Sequence, residues 1–155
     1  MMTQKSVSVI LRILCVISLI AVVLMSVFLF RILGKVLKDQ GTAAIIFKAV
    51  IVICALLVAA AVLLAWAIFS DIGRGQSFTL RNAKRLKIMS LLFAFVALAA
   101  LVPLTLIVIS ELGYLSLIFS IVVVFVAISF CVICLCLSYL IKNGADIEEE
   151  NRLTV

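Results

Sequence analysis

Histidine is absent from the whole chain, which removes the side chain most used as a general base and metal ligand near neutral pH. Proline occurs once, and Asp, Glu, Lys and Arg together make up 13% of the residues, against roughly 25% in soluble domains. Such scarcity of charge excludes an ordinary water-facing surface. What fills the chain is hydrocarbon: 68% of its 155 residues are hydrophobic. The apolar runs are too long and too unpatterned to be the buried sides of amphipathic helices. A bilayer core needs about 20 apolar residues per helix, and four such runs nearly use up the sequence. The expectation is an all-α, integral membrane four-helix bundle with no separate soluble catalytic domain.

The first span is read over about 13–30, preceded by Lys5 and Arg12 and closed by Arg31. A secretory signal peptide is the competing reading. The block is too long for one, and no small-x-small cleavage site follows before Lys35 and Lys38, so it is kept as a span. The second span covers about 49–69, with Trp66 where an interfacial aromatic is favoured. The third covers about 88–109 and contains Pro103, which is expected to free the carbonyl of Ala99 and kink the helix. The fourth covers about 117–141, and residues 142–155 form an acidic tail.

Orientation follows from the distribution of cations. An N-in, C-in topology puts Lys5, Arg12, Arg74, Arg81, Lys84, Arg85, Lys87, Lys142 and Arg152 on the cytoplasmic side. It leaves Arg31, Lys35, Lys38 and Lys48 on the other. Nine against four favours that topology, although the first outer loop is more basic than the positive-inside rule expects. The net charge of +6 is read as topology signal and lipid anchor, with no direct nucleic-acid binding.

Between the second and third spans lies the one long polar interruption, FSDIGRGQSFTLRNAKRLKI over 69–88. Gly73 and Gly75 are expected to break the preceding helix. Thr79 can cap a short amphipathic cytoplasmic helix, with Phe78 stapled against Ala83. On that helix Arg81, Lys84 and Arg85 share a face at i, i+3, i+4. Anchoring beside anionic lipid explains the cations alone, at about 1 kcal/mol each. An exposed aromatic next to a cap fits a docking surface as well, and both readings stay open. The candidate partner-binding residues are therefore Phe78, Arg81, Asn82, Lys84 and Arg85 with Glu149, Glu150, Asn151, Leu153 and Thr154 of the tail. The acidic run at Asp146, Glu148, Glu149 and Glu150 is either simply solvated or folds back on the basic face.

Cys131, Cys134 and Cys136 form CxxCxC, a spacing that brings membrane thiol oxidoreductases to mind. Those enzymes need a reactive pair near the outer face, whereas here the thiols sit deep in hydrocarbon, where thiolate is disfavoured. Ala127, Cys131, Cys134 and Ser138 also lie at i, i+4, i+7, i+11, a stripe of small side chains suited to close helix packing. A small transporter or efflux subunit is a further alternative, with a cavity at a homo-oligomer interface along such stripes. Ion coupling, however, normally leaves an ionisable residue inside the membrane, and none lies between the span ends. The in-span residues Ser18, Ser26, Ser90, Thr105, Ser120 and Ser129 can bond back to their own helices. No catalytic residue, cofactor or metal is expected.

Two motifs together resemble the bacterial membrane-protein family known as domain of unknown function 2975. One is the loop Asp71-Ile72-Gly73-Arg74-Gly75-Gln76-Ser77-Phe78-Thr79 with Asn82 and Lys84-Arg85-Leu86. The other is the ending Glu149-Glu150-Asn151-Arg152-Leu153-Thr154-Val155. The likeness spans the whole chain. Arg152 stands where Asp is usual in that family, and Ser77 where Pro is frequent. The resemblance implies a four-span protein of the bacterial cytoplasmic membrane, often encoded beside a small Cro/CI-like helix-turn-helix regulator. The partners expected are thus the lipid bilayer and such a regulator or another membrane protein. The function expected is a non-enzymatic interaction, sensing or immunity module.

Overall fold

The computed structural model describes residues 4–36, 41–76, 78–109 and 114–153, and four helices account for nearly all of them. In lipid no water satisfies backbone N–H and C=O groups, so a hydrophobic chain of this kind closes its hydrogen bonds within helices. The helices are α1 (Gln4–Val36), α2 (Gly41–Gly73), α3 (Leu80–Ile109) and α4 (Tyr114–Leu153). Each contains a stretch long and apolar enough to cross a membrane: Ser8–Arg31, Ile45–Gly73, Leu80–Thr105 and Ser120–Ile147. The protein is a four-helix membrane bundle.

Neighbours in sequence are neighbours in space. α1 packs on α2, α2 on α3 and α3 on α4, and among the described residues α1 and α4 do not meet. The bundle is a folded row whose first and last helices leave a seam. Its centre is built from small residues: Val96 and Ala97 of α3 and Ala127 of α4 are buried together, with Cys54, Leu57 and Val58 of α2 against them. Small side chains let backbones approach closely, which is how membrane helices gain contact when lipid tails are as apolar as leucine. The stripe read on α4 faces α3. Ala127, Cys134 and Ser138 are buried, Cys131 is half-buried and Cys136 is exposed. Phe93 of α3 stacks on Phe130 of α4 at 5.3 Å between centroids.

Within the spans the hydroxyls bond to their own helices, as read for Ser18, Ser26, Ser90, Thr105 and Ser129. Ser26 Oγ, for example, donates to the Val22 carbonyl at 2.6 Å. α3 remains helical through Pro103.

One detail departs from the expectations. The basic segment after Thr79 is not a separate helix but the first turns of α3, which runs unbroken from Leu80 into the span. With Thr79 already capping the start, nothing between Asn82 and Ile88 stops helical propagation. Beyond the fourth span α4 stays helical to Leu153, through the residues of the acidic tail. At 1.5 Å per residue that helix is about 60 Å long, twice a hydrocarbon core of ~30 Å, so α4 projects well beyond its span.

Candidate functional site

The start of α1, the end of α2, the start of α3 and the end of α4 lie together, and there the polar side chains of the bundle converge. α2 stops in a Schellman motif: Gln76 N–H donates to the Asp71 carbonyl and Gly75 N–H to the Ile72 carbonyl, both at 3.0 Å. Gly75 takes the left-handed conformation this motif requires, with φ 77°. Gly73 does not break the helix. It is the last residue of α2, and a Cβ there would lie 2.5 Å from Ser8 Oγ and 2.8 Å from Ser8 Cβ. One glycine ends the helix, and the other lets α1 come close.

The N-cap expected of Thr79 is present: its Oγ1 accepts the Asn82 N–H at 3.3 Å, and its carbonyl accepts the Ala83 N–H at 3.1 Å. That cap places Asn82 at the centre of the network. The Asn82 side chain is fully buried; its Nδ2 donates to the Gln76 carbonyl at 3.1 Å and its Oδ1 accepts from Arg85 at 3.0 Å. The same guanidinium nitrogen of Arg85 reaches Asp71 Oδ2 at 2.5 Å, across the turn from α3 to α2. With side-chain exposures of 24% for Arg85 and 12% for Asp71, this ion pair is mostly withdrawn from solvent. A carboxylate so enclosed is tolerable only with its cation and hydrogen bonds in place.

The outer helices tie into the same knot. Ser8 Oγ donates to the Phe69 carbonyl at 2.7 Å, and Arg12 Nη2 donates to Ser70 Oγ at 3.0 Å. On the other flank Ser138 Oγ of α4 donates to the Ala83 carbonyl of α3 at 2.7 Å. Arg12 thus crosses to α2, and its Nε is buried without a hydrogen-bond partner.

The residues proposed from sequence as one docking face are thus divided. Asn82 lies inside the protein and Arg85 is engaged with Asp71 and Asn82, so neither presents a free side chain. Arg81 and Lys84 are exposed. Phe78 is 56% exposed, and its ring rests on α4. A Cβ on Gly144 would sit 2.8 Å from the Phe78 Cδ1, so the missing side chain of Gly144 is the seat of that ring. In the tail Glu149 is exposed, and neither it nor Asp146 pairs with a described cation. The side chains of Glu150, Asn151 and Leu153 and the whole of Thr154 lie outside the described residues.

Sequence reasoning passed over Asp71, Ser8 and Gly144. Asp71 carried a usable signal, being the lone carboxylate between Asp39 and Glu111 and standing at the end of a span. Ser8 and Gly144 carried none, since their importance comes from what packs against them.

The model of the family described as "Protein of unknown function (DUF2975)" matches residues 34–155, α2 to α4 entire and the end of α1. The chain belongs to this family. The match takes in the whole polar turn, from Asp71 through Arg85, so the features that knit this DUF2975 protein together lie mostly inside the family region. Ser8 and Arg12 precede it. No curated protein and no solved structure matches the chain.

Proposed function

We propose that this DUF2975 protein is a non-enzymatic module of the bacterial cytoplasmic membrane, with both termini in the cytoplasm, that presents the rim of its polar end to a partner. One observation carries this reading. The polar residues at that end fall into two sets, and only one of them holds the fold. Asp71, Asn82 and Arg85 are engaged with one another inside, whereas Arg81, Lys84 and Phe78 stand outside, beside the acidic extension of α4. Side-chain surface that the fold does not use is free to meet something else: Arg81, Lys84 and the exposed part of the Phe78 ring. The count of nine cations at this end supports its placement in the cytoplasm. A small helix-turn-helix regulator or another membrane protein suits a rim that is basic on α3 and acidic on α4.

The test is site-specific photo-crosslinking in living cells from position 78 or 81, with the lipid-exposed position 98 as comparator. A discrete protein adduct from 78 and 81, absent from 98, with the adduct from 78 abolished by the pair Arg81→Glu and Lys84→Glu, is the expected result. Adducts that are the same from all three positions, or unaffected by the charge reversal, would end the docking reading. A C-terminal fluorescent-protein fusion that stays dark while a phosphatase fusion is active would overturn the orientation.

A further inference from the structure

The opposite end of the molecule carries a second feature, unrelated to the polar rim. Between α1 and α2 lies an open groove of 390 Å³, running from Leu19 to Arg31 on one wall and from Ile51 to Ala59 on the other. Its volume lies within the roughly 300–1,000 Å³ of ligand sites. The walls are hydrocarbon except at two places. Ser26 has its hydroxyl committed to the Val22 carbonyl, so it offers no donor to a ligand. Arg31 closes the groove at the α1–α2 loop end.

Along α1 the groove extends about 18 Å at 1.5 Å per residue, close to the ~15 Å of one leaflet's hydrocarbon. It is the length of one acyl chain. Beside its mouth, Lys48 of α2 holds its Nζ 5.2 Å from the centroid of the Phe30 ring, and Phe30 is itself a wall residue. One cation from each helix thus stands at the end of a slot lined by hydrocarbon, Arg31 in its wall and Lys48 over the wall residue Phe30, and neither has a carboxylate partner among the described residues. Arg31, Lys35, Lys38 and Lys48 are also the four cations on the side where the orientation count expects few.

We infer that this groove is a binding site for an anionic phospholipid, one acyl chain lying between α1 and α2 and the phosphate meeting Arg31 and Lys48. The guanidinium of Arg31 suits phosphate because its planar donors can bond two oxygens at once. Lys48 adds a point charge already steered toward the mouth by the Phe30 ring.

Native mass spectrometry of the full chain in mild detergent, titrated with equal amounts of phosphatidylglycerol and phosphatidylcholine of matched chains, tests this. The wild type is expected to retain phosphatidylglycerol in preference. Arg31→Gln with Lys48→Gln should weaken phosphatidylglycerol binding about 30-fold, the effect of two basic residues near an anionic surface, and bring it level with phosphatidylcholine at unchanged melting temperature. Ala55→Phe, which fills the groove, should reduce retention of both lipids. Equal retention of the two lipids by the wild type, undiminished preference in the double variant, or full binding by Ala55→Phe would each overturn the site.

Discussion

Replacing Arg85 by Gln is the perturbation that most directly probes how the polar end is held. Asp71 lies in the turn at the end of α2, with its side chain 12% exposed, and Arg85 is its sole ion-pair partner among the described residues. Removing one member of a fully buried pair costs about 3–5 kcal/mol, because the other charge is left without compensation. Here Arg85 is 24% exposed, so water screens part of the interaction and the expected loss is about 2–3 kcal/mol. The converse change, Asp71→Asn, should cost only about 1–2 kcal/mol. Arg85 keeps its bond to Asn82 Oδ1 at 3.0 Å, and its long stem can carry the guanidinium out to water. A short carboxylate cannot make that move. The carbonyl of Asp71 that closes the Schellman motif is untouched in either variant. In the double variant neither charge is stranded, so the combined loss should fall short of the sum by about 1–2 kcal/mol. Reversible unfolding in mixed micelles, followed by helix content, measures all four corners of the cycle. Additive losses, or an Asp71→Asn variant as unstable as Arg85→Gln, would refute the idea that a buried carboxylate sets the cost.

Two further contrasts follow from packing. Gly73→Ala should destabilise by about 1–3 kcal/mol, because its Cβ meets the backbone-anchored Cβ of Ser8 at 2.8 Å. At Gly144 the nearest atoms to an added Cβ all belong to the ring of the half-exposed Phe78, which can swing aside, so Gly144→Ala should cost under about 1 kcal/mol in the same unfolding assay. Cys134→Leu overfills the α3–α4 seam and should lose about 1–3 kcal/mol, whereas Cys136→Leu, on the exposed side of α4, should change the midpoint by less than about 0.5 kcal/mol.

How much of this was legible beforehand depends on the range of the interaction. The four spans and the Thr79 cap could be read because each depends on residues adjacent in sequence: a run of apolar side chains, or a hydroxyl three positions before an N–H. The small-residue stripe through Ala127, Cys134 and Ser138 was legible for the same reason, as helical periodicity on one segment. The shared basic face was only half legible. Periodicity put Arg81, Lys84 and Arg85 together, yet Arg85 turns inward because Asp71, fourteen positions earlier, approaches it once the turn closes. Gly73 and Gly75 look alike in sequence and do different things, one meeting Ser8 across the helix pair and the other taking a positive φ.

By itself, then, the amino-acid sequence determined the solvent, the number of crossings and which residues lie near the ends of the spans. Those follow from the free energy of moving side chains and backbone between water and hydrocarbon, which is additive along the chain. Only the packed helices decided which polar residues would be enclosed and which left outside. A side chain's partner across a helix interface is set by distance in space. That is why Asn82 lies at the heart of the polar network while Arg81, its neighbour in the chain, faces out.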